Sequence, residues 1–239
     1  MVFWQPPLPP PPPPPPAFAV SDLATHPFFL TLACMLVLDV AVCRHTSARW
    51  FLLHAWGNII VTVFALPDAL LAADNPGTSC IGGASTYVPL WQIIVLHLYH
   101  LVFFACSTAD WVHHCVFVSI IGGCGLYFDG GPLINLVAVF MCGLPGALDY
   151  VMLSLVKHGH LAPLVEKAWN ARINVWIRSP GMLLCTFCAY QATRHGPESE
   201  ATRHPLIALL VSIIIIVNAQ YYMQRVTGNA YRKSQTFSS

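Results

Sequence analysis

Residues 132–157 read PLINLVAVFMCGLPGALDYVMLSLVK, with one charged side chain, Asp149, before Lys157 closes the stretch. A helix needs about 20 residues to cross the roughly 30 Å hydrocarbon core of a bilayer, so this stretch reads as a membrane span. Working outward, six further apolar segments approach that length, near 27–43, 50–72, 88–106, 110–128, 180–193 and 205–224, with 180–193 the shortest. The expected fold is all-α, a polytopic membrane bundle of about seven transmembrane helices.

Composition agrees with that reading. Of 239 residues, 56% are hydrophobic and 9% charged, whereas an ordinary soluble domain carries about 25% charged residues. A soluble single-domain enzyme is excluded, and a net charge of +1 offers no basic surface for nucleic acid. Turn residues fall between the spans: Asn75-Pro76-Gly77, Gly82-Gly83 and Asp129-Gly130-Gly131-Pro132. Ser179-Pro180 is expected to open span six, and Ser107 with Asp110 three residues on reads as a capping box opening span four.

Residues 1–20 form a proline-rich tail ahead of a transmembrane domain over 21–228 and a C-terminal tail over 229–239. The run Pro9 to Pro16 lacks the N–H groups that a helix or sheet requires. It reads either as a low-complexity tail or as a docking site for a proline-recognising domain. It is not a signal peptide, having neither a basic start nor an apolar stretch before the prolines.

The basic residues suggest an orientation. Arg44 and Arg49, then Lys157, Lys167, Arg172 and Arg178, then Arg225, Arg232 and Lys233 all fall on one side of a seven-span arrangement. The positive-inside rule places that side in the cytosol, with the N-terminus lumenal and the C-terminus cytosolic. Within 157–178, apolar residues including Trp169 and Trp176 recur at helical spacing among the bases. This predicts an interfacial helix, either a gate over a membrane cavity or a plain connector. The nine cysteines lie mostly inside spans and read as small packers, Cys185-x-x-Cys188 included.

Ionisable residues inside a membrane are costly and mark functional candidates. At 1.5 Å per residue, His54 lies about 7 Å past Arg49, His113 and His114 about 10 Å into span four, and Asp149 about 12 Å before Lys157. With His97 and His100 from span three, these groups share the cytosolic half. His97 and His100 share a helix face. Asp110 stands four residues before His114 and is able to orient its ring, in competition with its capping role. His113 and His114 diverge by about 100°, so one of them is expected to face the interior, towards Asp149. Gly143-Leu144-Pro145-Gly146 should kink span five. Gly122, Gly123 and Gly125 should let span four pack closely.

The stretch Asp110-Trp111-Val112-His113-His114 resembles the TLC-domain family, which holds ceramide synthases, translocating-chain-associated proteins and neuronal-lipofuscinosis membrane proteins. Trp56-Gly57-Asn58 in span two and the segment from Trp169 through Asn170, Arg172 and Asn174 to Arg178 are similar to it as well. The resemblance implies that His113 and His114 match the acyl-transfer pair of the ceramide synthases and that Asp149 is the nearest match to a family aspartate. Those enzymes have polar positions after the pair, where this chain has Cys115-Val116-Phe117-Val118. They also have a second aspartate where this chain has Met152. The smaller family members linked to membrane lipid composition are the nearer likeness.

The expected function is lipid homeostasis at the endoplasmic reticulum membrane, with the plasma membrane second. His113, His114, Asp149 and Asp110 are the candidate catalytic residues, and His54, Asn58, His97 and His100 the candidate cavity lining. Membrane lipids are the expected partners. The alternatives are acyl-CoA-dependent N-acyl transfer, and lipid or cargo binding without catalysis. A metal or haem site built from His54, His97, His100 and the pair ranks last, because one H-x-x-H and one His-His fall short of the His-rich boxes of di-iron membrane enzymes. No late span carries H-x-x-x-H for a zinc hydrolase. Span seven has no lysine for a retinal Schiff base. No metal and no cofactor are therefore expected, and acyl-CoA enters only as the co-substrate of an acyl transfer.

Overall fold

The structure is a computed structural model that describes residues 26–80, 85–116, 118, 122–127, 130–196 and 203–236. The proline-rich tail, Gly82-Gly83 and Asp129 lie outside the described residues. All regular structure among the described residues is helical: α1 (Pro27–Ala41), α2 (Arg49–Asp74), α3 (Val88–Phe103), α4 (Thr108–Val116), α5 (Gly123–Tyr127), α6 (Gly131–Lys157), α7 (Pro163–Ile173), α8 (Ser179–His195) and α9 (Pro205–Thr236). Four helical stretches are long and apolar enough to cross a membrane: α1 with the turn that follows it, α2, α6 and α9. The chain is an all-α bundle of membrane type.

α2 is the hub. It packs along both halves of α6 and against α3, while α1 leans on α3 and α9 covers α7 and α8. The stripe Ala65, Ala69 and Ala72 on α2 is buried with Leu136 and Val139 of α6, Met182, Cys185 and Cys188 of α8, and Ile215 and Ala219 of α9. Small residues at this spacing let helix backbones approach where lipid removes any hydrophobic drive between helices. Cys185 and Cys188 are thus packing residues. A second cluster joins Met35, Leu53, Val95, Leu96 and Tyr99 at the other end of α2. Val37, Val63, Leu70, Val102, Leu206 and Val217 point outward, as lipid-facing positions should.

Two prolines shape the bundle by the same device. α6 contains a π-turn at Val139–Gly143, directly before Leu144-Pro145-Gly146. A π-turn at Asn174–Arg178 joins α7 to α8 directly before Ser179-Pro180-Gly181. A proline ring displaces the carbonyl four residues back. Those carbonyls, of Met141 and Trp176, fall inside the two π-turns, where the wider turn takes up the displacement. Each following glycine sits at a close approach. A Cβ on Gly146 would come within 2.5 Å of the Asn58 amide, and one on Gly181 would overlap the Phe140 ring.

This arrangement changes the expectation for 157–193. Pro180 stands in the first turn of α8, as expected, but α8 follows α7 without a break. Residues 163–195 run as one helical stretch, about 50 Å at 1.5 Å per residue, so the expected interfacial helix is continuous with the segment expected as span six. Trp169 and Trp176 remain on its exposed side. α9 continues to Thr236, through residues expected to form the C-terminal tail. Of the segment expected as span four, the structure describes the helices α4 and α5, and residues 117 and 119–121 between them lie outside the described residues. The capping box is present, with Asp110 Oδ2 accepting from Ser107 N at 2.9 Å and from Ser107 Oγ at 2.7 Å.

α6 starts at Gly131, whose φ of +55° suits glycine. It ends in a Schellman turn: His160 N–H donates to Leu155 O and Gly159 N–H to Val156 O, with Gly159 at φ +75°. That turn satisfies the last carbonyls and returns the chain into α7.

Candidate functional site

A cavity of about 600 Å³ runs through the bundle. Its apolar wall comes from Leu90 and Ile93 of α3, Ile134 and Val137 of α6, and Val211 and Ile215 of α9. Its polar groups come from the opposite ends of those helices and from the start of α2: His54 and Asn58, His97, Asp149 and Tyr150, and Tyr222. Successive antiparallel helices bring the late residues of α3, α6 and α9 level with the early residues of α2 and α7. Asp110, His113 and His114 of α4 and Asn170 and Arg178 of the α7 run line the same space. Arg49 opens α2 at this end, and Lys167 pairs here with Glu166 beside Asp149; it is called here the basic end.

Of the expected site residues, His113, His114, Asp149, Asp110, His54, Asn58 and His97 all line the cavity. His100 does not. It is fully buried behind the wall, packed against both Trp50 and His54 with ring centroids 4.0 Å from each. His54 stacks in turn on Tyr150 at 4.2 Å. Neither ring nitrogen of His100 has a hydrogen-bond partner, and the same holds for His114. The expectation that one of the adjacent histidines faces away is corrected. Both line the cavity, because His97 sits against both, with ring centroids 5.7 Å from His113 and 4.8 Å from His114.

Backbone carbonyls set the tautomers of two histidines. His54 Nδ1 lies 2.9 Å from Trp50 O, and His97 Nδ1 lies 2.7 Å from Ile93 O. A carbonyl only accepts, so each Nδ1 carries the proton and Nε2 keeps the lone pair. His113 Nδ1 is 3.5 Å from the Tyr222 hydroxyl. Asp110 is held in its cap by Ser107, which leaves it a positioning role for α4.

Asp149 keeps company that the sequence reading missed. Its carboxyl meets Glu166 and faces Arg178, and its Oδ1 has no hydrogen-bond partner. Glu166 is 1% exposed and pairs with Lys167 at 2.7 Å. From it a ladder climbs the α7 run at intervals of four residues. Asn170 Nδ2 donates to Glu166 Oε1 at 3.4 Å, Asn174 Nδ2 to Asn170 Oδ1 at 2.7 Å, and Arg178 Nη1 to Asn174 Oδ1 at 2.9 Å. The signal was in the spacing: Glu166, Asn170, Asn174 and Arg178 fall on one helix face.

Asp39, also missed, forms a clamp at the basic end. Arg49 Nε and Nη2 donate to its two oxygens at 2.7 and 2.5 Å, and Tyr99 OH donates to Oδ2 at 2.6 Å. Arg49 also lies over the Phe104 ring at 4.5 Å. The clamp ties α1 to α2 and α3 beside the histidine stack.

Fold and cavity together define a class, a polytopic all-α bundle of membrane type enclosing a histidine-rich cavity. Comparison with family models, curated proteins and solved structures finds no match to the chain.

Proposed function

We propose that the chain is a TLC-like, seven-span membrane protein of lipid homeostasis that holds a lipid in this cavity. The observation that carries the reading is the polarity of the cavity. Apolar side chains fill one length of it, and His97, His113, His114, Asp149, Arg178 and Tyr222 crowd the other. An amphipathic ligand has that form, and about 600 Å³ lies within the usual range of small-molecule sites. The basic end faces the cytosol of the endoplasmic reticulum, with the N-terminus in the lumen. The unpartnered imidazole of His114 favours a second reading, acyl-CoA-dependent N-acyl transfer with a neutral imidazole as base or nucleophile.

The test is lipidomics of cells expressing the chain against the His113→Ala/His114→Ala form at equal abundance. A lipid class that changes with the wild type and not with the variant supports the reading, and identical profiles end it. Under the acyl-transfer reading, Asp149→Asn changes the same class as strongly. The topology is checked by protease digestion of intact microsomes. A tag at Ser239 should be cleaved and one at Met1 protected.

A further inference from the structure

Three histidines meet at one point of the cavity wall. The ligand nitrogens of His97, His113 and His114 all lie within 4.8 Å of one another. His97 comes from α3 and the other two from α4, so the point exists only where those helices pack. A tetrahedral zinc site with Zn–N of about 2.1 Å needs about 3.4 Å between ligand nitrogens. The three rings therefore have to close by no more than roughly 1.4 Å, within reach of small χ rotations.

Three further observations make this a built site. His97 donates Nδ1–H to Ile93 O at 2.7 Å, the outer hydrogen bond that fixes a metal-binding imidazole with its Nε2 lone pair presented. His114 is 4% exposed, and both of its ring nitrogens lack a hydrogen-bond partner. A buried imidazole in that condition lacks the bonds it would make in water, and coordination would replace them. Asp110, four residues before His114 and fixed by Ser107, supplies a negative charge beside the cluster without leaving its cap.

From this geometry we infer that His97, His113 and His114 bind one Zn²⁺ ion, with its fourth position open to the cavity. An all-imidazole donor set suits zinc and other late first-row ions and is foreign to Ca²⁺ and Mg²⁺, which take oxygen ligands. Three protein ligands with an open position facing a cavity is the arrangement of catalytic rather than structural zinc. Coordination would occupy the lone pairs that an acyl-imidazole mechanism needs, so the ion and a nucleophilic His114 exclude each other. The inference stands on the three side chains and does not rest on the lipid reading.

The test uses the full chain purified in detergent, stripped with chelator and titrated with Co²⁺ and then Zn²⁺. The expected result is a tetrahedral Co²⁺ absorption band that saturates at one equivalent and is displaced by Zn²⁺. His97→Ala and His114→Ala should lose the band while keeping the helical circular dichroism and the gel-filtration profile of the wild type. His100→Phe, outside the cluster, should keep it. X-ray absorption of the wild-type zinc form supplies a readout that needs no variant. Nitrogen scatterers at about 2.0–2.1 Å support the site, and a sulfur at about 2.3 Å overturns it. Folded wild type with no saturable band overturns it too, as does undiminished binding in folded His97→Ala. A failed titration beside an altered lipid profile removes the ion and leaves the lipid reading standing.

Discussion

Where α2 ends, Asp68 accepts from Asn135 Nδ2 at 2.6 Å and from Thr86 N at 3.1 Å, and the same amide donates to Thr86 O at 2.9 Å. Where α2 begins, Asp39 is held by Arg49 and Tyr99, but at the same end the ring nitrogens of buried His100 and His114 have no hydrogen-bond partner. Both ends bury polar groups between helices. At the Asp68 end the groups bind one another and tie α2 to α6 and to the residues leading into α3, with Asn135 Oδ1 left without a partner. At the basic end tied and untied groups sit side by side. Burial of an unpaired polar group costs about 1–3 kcal/mol. A bundle that leaves more such atoms unpaired at one end, on His100, His114, Asp149 and Arg178, is held together mainly at the other and is open to a ligand where they gather.

The comparison can be broken from its tied side first. Asp39→Ala leaves Arg49 and Tyr99 without their shared acceptor, and the loss is expected to reach about 3 kcal/mol. Thermal unfolding in detergent reads it as the largest drop in Tm of this set. A drop no greater than that of a surface change would mean that the clamp contributes nothing. Asp68→Ala removes one of the two acceptors of the Asn135 amide and the acceptor of the Thr86 N–H, and should cost about 2 kcal/mol without altering the histidine cavity. Proteolysis of the 75–87 connection reports this change directly, since Thr86 is one of its anchors.

Packing sharpens the same contrast. Gly181→Ala forces a Cβ into the Phe140 ring and should destabilise by about 1–2 kcal/mol. Gly123→Ala, with no atom within 4 Å of the new carbon, should stay within about 0.5 kcal/mol of wild type. Equal effects at the two glycines would refute the close approach at the second π-turn. The smallest effect is expected at His100→Phe. It removes two unpartnered nitrogens and keeps an aromatic ring against Trp50 and His54, so stability should hold or rise by less than about 1 kcal/mol. A loss of about 2 kcal/mol would show that His100 belongs with the tied groups.

Much of the site was legible before any packing was known. His54, His97, His113, His114 and Asp149 are single polar residues in apolar stretches, and depth along a helix needs only the rise per residue. Asp110 was legible as a cap because Ser107 stands three residues ahead. Glu166 escaped notice because it lies in a segment with many charges, where a buried carboxylate looks like a solvated one. His100 was placed at the right depth and on the wrong side of the wall. A spacing of three puts His97 and His100 on neighbouring faces, and the packing of α2 against α3 decides which of the two opens to the cavity.

Composition and run length determined that this chain is a helical membrane bundle, because hydrocarbon thickness and the need to satisfy every backbone N–H and C=O leave few other solutions. Local spacing determined the α4 cap and the depth of the histidines. Only the tertiary structure decided that Pro180 lies inside a continuous helical run, because a proline needs relief four residues back and the π-turn at Asn174–Arg178 provides it. Only the tertiary structure, too, brought His97 against both His113 and His114. That meeting depends on the register and rotation of α3 against α4, which are set by contacts between residues far apart in the chain and leave no periodic trace in either helix alone.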